Sequence, residues 1–456
     1  MKLRVRLFDG TVTAAQLSIG VLWAILLVGV FFLWSVRGID LLTTGVSSFF
    51  LAVAQLFGLL ATFFALTQFM LMGRIWWIER AFGLDRLASF HRFNGYAAII
   101  LILLHPVLLT LHHTLEDGTS FSEAYLSIFG EHPYTVLALI AEILFVLVVI
   151  SSVYIARKHL SFETWYWVHL MVYVAIILAA FHQFANGGSL VGSPIASAFW
   201  LGLYAFVALN LIIWRFFLPV YRLLKYDFRI VKVQAETPTV TSVYIKARGL
   251  SRLVILPGQF VLVRILAHGF WSQEHPFTIS WIPKDNQLRL TIRAVGDYTQ
   301  AIRQLQPGAR VLVSGPFGRF TRDVLGGDKQ LLIAGGIGIT PIRSLVEQAS
   351  QDGLDTVVLY ANNRTSDVPL KAELDQLAAT TDTLQVHYIY SDETAQKRIA
   401  TGRIDGEYIS RTVADFLSRD VYICGPPPMM AAIVDALKQR GLAEEQIHYE
   451  VFALHP

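Results

Sequence analysis

The stretch His91-Arg-Phe-Asn-Gly-Tyr-Ala-Ala-Ile-Ile-Leu-Ile-Leu-Leu-His105 decides how this chain is read, together with its counterpart from His169 to His182. Both lie in runs too apolar for a water-soluble domain. An imidazole in hydrocarbon must be satisfied, so an ionisable residue there marks function by default. The spacings are 14 and 13 residues. At the rise of an α-helix each pair is separated by roughly 20 Å, two-thirds of a hydrocarbon core about 30 Å thick. That places one histidine near each membrane face. Two such helices side by side give two His–His pairs stacked across the membrane, which is how a bundle holds low-spin haem iron between neutral imidazoles. Fourteen steps bring His105 to within about 40° of the face of His91, whereas thirteen leave His182 about 140° from His169. The second helix is therefore expected to bend, to carry a π-bulge, or to meet its ligands obliquely.

Composition sharpens this division. The chain has 456 residues, enough for two or three domains, with 54% hydrophobic and 16% charged residues. Its mean hydropathy is +0.51. The average hides two unlike halves: long apolar runs up to about residue 220, then an ordinary mixture with Gly, Pro and charge throughout. A net charge of +3 argues against a polyanionic partner such as nucleic acid. The single cysteine, Cys424, excludes an intrachain disulfide and a cluster held by four cysteines.

Six spans are predicted, about 14–36, 46–72, 89–113, 134–156, 164–185 and 197–218. The first reads as a span rather than a cleaved signal, being long enough to cross and lacking a small-residue cleavage site. Lys2, Arg4 and Arg6, then Arg74, Arg80, Arg86 and Arg92, Arg157 and Lys158, and Arg215, Arg222 and Lys225 fall on one side. The opposite loops hold only Arg37, with Glu116, Asp117, Glu123 and Glu131. The positive-inside rule makes both termini cytoplasmic, and the expected location is the cell (inner) membrane. Spans three and five then run the same way, so His91 pairs with His169 on the inner side and His105 with His182 on the outer. His112 and His113 read as loop-edge residues, or else line the place where an outside acceptor arrives.

From Tyr226 onward short alternating segments take over. Arg229–Val233, Val240–Lys246, Phe260–Ile265, Gln287–Val295 and Arg310–Ser314 read as strands of a small barrel. Within it stand His275-Pro-Phe-Thr-Ile-Ser280 and Gly296-Asp-Tyr-Thr299. Then Leu331-Leu-Ile-Ala-Gly-Gly-Ile-Gly-Ile-Thr-Pro341 runs from a buried strand through a glycine turn into a helix, Ile342–Gln351. Glycines let backbone approach a pyrophosphate, and the helix N-terminus offers free N–H groups. Alternating units follow, ending with Val421–Cys424, Gly425-Pro-Pro-Pro-Met429, helix Met430–Arg440 and strand Ile447–Phe452. The expected architecture is multi-domain: a six-helix transmembrane bundle (1–222), an antiparallel β-barrel (223–325), which the resemblance below makes the FAD domain, and a doubly wound α/β nucleotide-binding domain (326–456).

The order of these motifs resembles the ferric reductase-like transmembrane domain shared by NADPH oxidases and metalloreductases, followed by a ferredoxin-NADP reductase-type module. The resemblance covers nearly the whole chain. It implies two b-type haems, with His91 and His169 as inner ligands and His105 and His182 as outer ones. It implies FAD on His275, Pro276, Phe277, Thr278 and Ser280, with Gly296 and Thr299 at its pyrophosphate. It implies NADPH, or NADH, on Gly335, Gly336, Gly338, Thr340 and Pro341, with Cys424, Gly425 and Pro426 near the nicotinamide. Phe452 would cover the flavin until nicotinamide displaces it, and Glu450 belongs to the same signature. Arg364, just past a strand, sits where a 2′-phosphate would be met. Electrons would then pass from NADPH to FAD, to the inner and the outer haem, and to oxygen or ferric iron outside. The alternative is an electron-supply subunit for an extracytoplasmic redox protein. Span two has no arginine in its outer half, and no histidine lies one turn beyond His105, which puts superoxide formation in doubt.

Overall fold

The computed structural model describes residues 4–7, 10–131, 134–153, 159–188, 190–322, 327–392 and 400–450. Lys2, Arg157, Lys158 and Phe452 lie outside the described residues. The chain divides into two compact units, Met1–Phe216 and Phe217–Pro456.

Among the described residues six helices are long and apolar enough to cross a membrane: Ala14–Thr44, Val46–Met72, Leu84–Asp117, Thr135–Ser152, Glu163–Asn186 and Pro194–Tyr226. A hairpin of β1 (Arg4–Leu7) and β2 (Gly10–Thr13) leads into α1 (Ala14–Thr44), whose Thr13 cap accepts from Gln16 N while Gln16 reaches back. Next come α2 (Val46–Met72), the short α3 (Trp76–Phe82), and α4 (Leu84–Asp117). The last of these is closed by Gly118 at φ 65°, the left-handed conformation that ends helices. After α5 (Phe121–Glu131) and α6 (Thr135–Ser152), Ser161 caps α7 (Phe162–Asn186) by accepting from Thr164 N. Pro194 opens α8 (Pro194–Leu211).

The expected π-bulge is not in the second histidine helix. α7 is α-helical throughout, and the π turn falls at Ile212–Phe217, where α8 ends. The first histidine helix runs through Pro106, beside His105. Proline has no N–H for the carbonyl four residues back. The buried centre of the unit is formed by Val30, Ala52, Phe63, Ala175 and Trp200 among others.

The second unit begins with α9 (Leu218–Tyr226). Two three-stranded antiparallel sheets follow. One orders β3 (Arg229–Ala235), β4 (Val240–Lys246) and β7 (Gln287–Arg293); the other orders β6 (His275–Thr278), β5 (Phe260–Ile265) and β8 (Val311–Phe317). Bridges at Arg229↔Arg310 and Ile279↔Leu290 join them into a barrel around Ile230, Val243, Val261 and Leu290. The helix α10 (Asp297–Ala301) follows β7.

A six-stranded parallel sheet completes the unit, ordered β12 (Ala400–Thr401), β11 (Leu384–Tyr390), β10 (Asp355–Asn362), β9 (Lys329–Gly335), β13 (Asp420–Cys424), β14 (Ile447–Tyr449). Buried clusters cover both faces, as all-parallel strands require. The helices are α11 (Ile339–Asp352), α12 (Lys371–Thr380), α13 (Gly406–Thr412) and α14 (Pro427–Gln439). The chain leaves β9 toward β10 on one side and returns to β13 on the other. The switch point, where such folds bind ligands, lies between β9 and β13.

Candidate cofactor sites

The two histidine helices do not take each other as principal neighbours. α4 packs on α2, and α7 packs on α6. Across the space between them the rings of His91 and His169 lie 6.1 Å apart, centre to centre, at 57°. Two imidazole nitrogens each about 2 Å from one shared metal place their ring centres about 6 Å apart. His169 Nδ1 faces Ser152 Oγ at 3.2 Å, and the Trp165 indole donates to the same hydroxyl. His91 Nδ1 and Gln68 Oε1 are both buried without a hydrogen-bond partner among the described residues.

The outer pair shares one cavity of about 430 Å³, lined by Gly58, His105, Glu142, His182, Gln183 and Asn186 among others. His105 Nδ1 lies 2.8 Å from Ala54 O, which fixes the proton on that nitrogen and leaves Nε2 as the lone-pair donor. His182 Nδ1 is 3.2 Å from the Asn186 side-chain amide, the same kind of support once the amide presents its oxygen. A Cβ on Gly58 would meet the His105 ring at 2.9 Å, so this glycine makes room for the imidazole. His112 and His113 line the same cavity. His112 Nδ1 contacts Ser47 Oγ at 2.8 Å, and His113 faces Asp117 at 3.8 Å.

Among the described residues no group of three or more His, Cys, Asp or Glu side chains could hold a bare metal ion. Pairs, an orphaned Nδ1 and a space between helices fit a metal whose remaining ligands come from a flat macrocycle. The residues present fit haem.

In the barrel, β6 is an edge strand, and Pro276, which has no N–H to offer a neighbour, sits comfortably there. His275, Pro276 and Phe277 are half-buried. The His275 ring lies 4.0 Å from the Tyr298 ring and 6.2 Å from Phe277, making an aromatic ledge along the open edge. The Thr299 hydroxyl accepts from Val295 N and Gly296 N and donates to Gly296 O, closing the exposed turn that carries Gly296. An edge strand with an aromatic ledge beside a glycine turn fits a flavin nucleotide. Thr278 is buried. Ser280, expected at the flavin, is placed elsewhere. Its fully buried hydroxyl donates to Arg289 O, meets Thr291 Oγ1 at 2.8 Å and accepts from Arg289 Nε, so it serves the barrel interior.

At the switch point two glycine turns lie back to back. Gly336 takes φ 52°, and a Cβ on Gly338 would come within 2.2 Å of Cys424 O. Gly425 lies against the Gly335 backbone, 3.1 Å from where its own Cβ would be. No larger residue lets both turns occupy these places, and the helix N-terminus beyond them suits a pyrophosphate. The residues fit a dinucleotide. Pro341 is buried in the first turn of α11, and the buried Thr340 hydroxyl donates to Ile337 O, so it holds the turn from within. Pro426 precedes α14 and is exposed. Arg364 is exposed beyond the carboxyl end of β10 and makes no ion pair among the described residues.

Cys424, expected beside the reacting nicotinamide, is fully buried within the sheet. Burial, and then the Glu450 carboxylate, push its thiol well above the ordinary range. A thiol held protonated and out of reach is a packing residue in this arrangement.

Sequence reasoning missed several residues. Arg293 lies over the nucleotide turn, its Nη1 3.4 Å from the place of a Gly336 Cβ. The Tyr360 hydroxyl donates toward Gly336 O at 3.1 Å. In the membrane unit, Ser152, Asn186 and Gln183 stand around the histidines. The signal for these was present: an amide such as Gln183, directly after His182, is out of place in an apolar run.

The fold and these sites define a multi-pass membrane oxidoreductase with a flavin and a nicotinamide-nucleotide module. Three family models match it in order: Ferric reductase like transmembrane component over residues 57–180, FAD-binding domain over 226–321, and Oxidoreductase NAD-binding domain over 332–435. Together they match a ferric reductase-type protein carrying a ferredoxin reductase-like module. A Flavohemoprotein of Chromobacterium violaceum is 29% identical over 246 residues, 50% of this chain and 61% of that protein. The ferredoxin reductase component of 3-ketosteroid-9-alpha-monooxygenase from Mycolicibacterium smegmatis is 33% identical over 208 residues, 44% of this chain and 56% of that one. The chain thus spans less than two thirds of the length of these relatives. Among solved structures, the FAD/NAD binding domain of nitric oxide dioxygenase from Vibrio cholerae aligns at 22% identity with a TM-score of 0.44, covering 49% of this chain and 97% of that one.

Proposed function

We propose that this chain carries electrons from NADPH to FAD, then to an inner and an outer b-type haem, and finally to oxygen or ferric iron on the extracytoplasmic side. The observation that carries the reading is the pairing of histidines. His91 and His169 lie 6.1 Å apart, and His105 and His182 share one cavity at the other end of the same two helices. Bound FAD would take two electrons from a hydride and release them singly, which haem requires.

The protein's own part is to hold and orient. Ala54 O, Ser152 and Asn186 aim the imidazoles. His275, Phe277 and Tyr298 give the flavin a ledge, and the Gly296 turn receives its phosphates. Gly335, Gly336, Gly338 and Gly425 bring backbone against the dinucleotide, with Arg293 beside them. Arg364 meets the 2′-phosphate and sets the preference for NADPH over NADH. No side chain has to act as acid or base in moving a hydride. Basic residues on the inner loops orient both termini to the cytoplasm.

The test is a purified, FAD-supplemented protein in detergent, given NADPH. Superoxide-dismutase-sensitive cytochrome c reduction is compared with ferric chelate reduction. A Soret band that NADPH reduces supports the path, and its absence ends it. Slow turnover with both acceptors that an added extracytoplasmic protein accelerates would move the chain to the electron-supply role. Arg364→Ala should raise KM for NADPH about tenfold and leave NADH unaffected, as loss of one charged hydrogen-bonding partner worth about 1.4 kcal/mol predicts.

A further inference from the structure

The outer cavity contains a polar group that the proposed path leaves unused. Gln183 follows His182 directly and is 8% exposed. The Tyr204 hydroxyl donates to its Oε1 at 2.8 Å, which fixes the amide with its carbonyl end occupied. Its Nε2 is buried with no hydrogen-bond partner among the described residues. Leaving a buried donor unmet costs roughly 1–3 kcal/mol, and native proteins rarely keep one without cause. Gln183 lines the same cavity as His105 and His182.

The inner pair has the opposite arrangement. Gln68 turns its Nε2 toward Gly95, one helical turn beyond His91, at 2.6 Å from where a Cβ on that glycine would be. Its Oε1 is the buried atom without a partner. One glutamine therefore leaves its positive end unmet at the outer level, and the other leaves its negative end unmet at the inner level.

We propose that Gln183, positioned by Tyr204, donates its Nε2–H to the group held between His105 and His182, and that this raises that group's affinity for an electron relative to the inner one. The inference rests on the bis-haem reading. A donor aimed at a redox centre favours the form with the added electron, and an acceptor's oxygen disfavours it. The two amides together tilt the transfer outward. Tyr204 is the positioning residue, acting through Gln183, and the amides act on potentials rather than on bonds.

The experiment is a redox titration, followed in the Soret and α bands, of the wild-type protein and its variants in detergent. Gln183→Leu should lower the midpoint potential of the outer haem by a factor of about ten in its reduction equilibrium, which is about 59 mV for one electron. The inner haem should not move. Gln183→Glu keeps the shape and the Tyr204 bond but replaces the donor with oxygen; it should lower the same potential and serves where the leucine variant loses haem. Tyr204→Phe should give a smaller drop in the outer potential, and Gln68→Leu should raise the inner potential alone. Unchanged potentials in a haem-replete Gln183→Leu protein, or equal shifts of both, overturn the inference while leaving the bis-haem reading intact. A wild-type protein without a Soret band overturns that reading, and the inference with it.

Discussion

In the membrane unit the candidate ligands are side chains reaching across a space between helices; in the soluble unit the candidate site is drawn mainly by backbone. His91 and His169 meet at 6.1 Å because α4 and α7 are each held by another helix. The nucleotide turn exists because Gly335, Gly336, Gly338 and Gly425 lack side chains, so that two strand ends can press together. The first kind of site would rest on four particular imidazoles and on the groups that aim them. The second depends on the absence of atoms and fails when any are added.

The largest test of that contrast removes the imidazoles. Alanine at His91, His105, His169 and His182 together should abolish the Soret band, while FAD binding and NADPH-driven flavin reduction persist. Alanine at His91 and His169 alone should remove about half the haem, because on the proposed arrangement each pair would hold one iron. Retention of full haem by the fourfold variant would break the comparison at its root.

Next comes an added side chain in the soluble unit. Gly338→Val drives a branched group into Cys424 O. Overpacking costs about 1–3 kcal/mol, so flavin reduction by NADPH should fall by about tenfold to a hundredfold. Haem content should be unchanged. Stopped-flow reduction of the flavin reads the first quantity, and the pyridine haemochrome the second.

A smaller effect separates packing from chemistry. Burial and the neighbouring Glu450 keep the Cys424 thiol protonated. The native protein should resist iodoacetamide near neutral pH and react after unfolding, and Cys424→Ala should retain most of its flavin reduction. Rapid native labelling would return this cysteine to the reacting centre.

The smallest lies at the amino ends of the central strands. Arg419 binds both Asp415 and Asp355 and ties the start of β13 to β10, while Lys329 also reaches Asp415. The Arg419 bond, then Lys329, bring Asp415 down from its ordinary 3.8 to about 2. A depressed carboxylate contributes stability that is fully present above about 3.8 and is lost as pH falls toward 2. Asp415→Asn should therefore flatten the acid limb of unfolding in that window and do little at pH 7. The carboxylate is 39% exposed, so screening keeps the effect modest.

Much of this was legible in the sequence, for physical reasons that differ between the units. The spans were readable because hydrocarbon demands long apolar runs, and the 14- and 13-residue spacings carried the depth of each histidine. The barrel and sheet followed from short strands and glycine turns. What escaped was orientation. The 140° mismatch from His169 to His182 pointed to a bend, a π-bulge or an oblique approach in α7; α7 carries no π-bulge, and the π turn is at Ile212–Phe217. Spacing along a helix fixes height but not how neighbours rotate it. Ser280 and Cys424 match a flavin and a nicotinamide motif by position, and only packing shows that both side chains turn inward. Arg293 and Tyr360 reach the nucleotide turn from distant strands, which no local pattern encodes.

The partnering of α4 with α2 and of α7 with α6 bears on biogenesis. Each histidine helix has a companion of its own, so on the bis-haem proposal the polypeptide would insert completely before any porphyrin reaches it. Cofactor supply would then be the last stage of maturation. Under iron starvation such cells would accumulate an inserted, colourless precursor rather than a degraded chain.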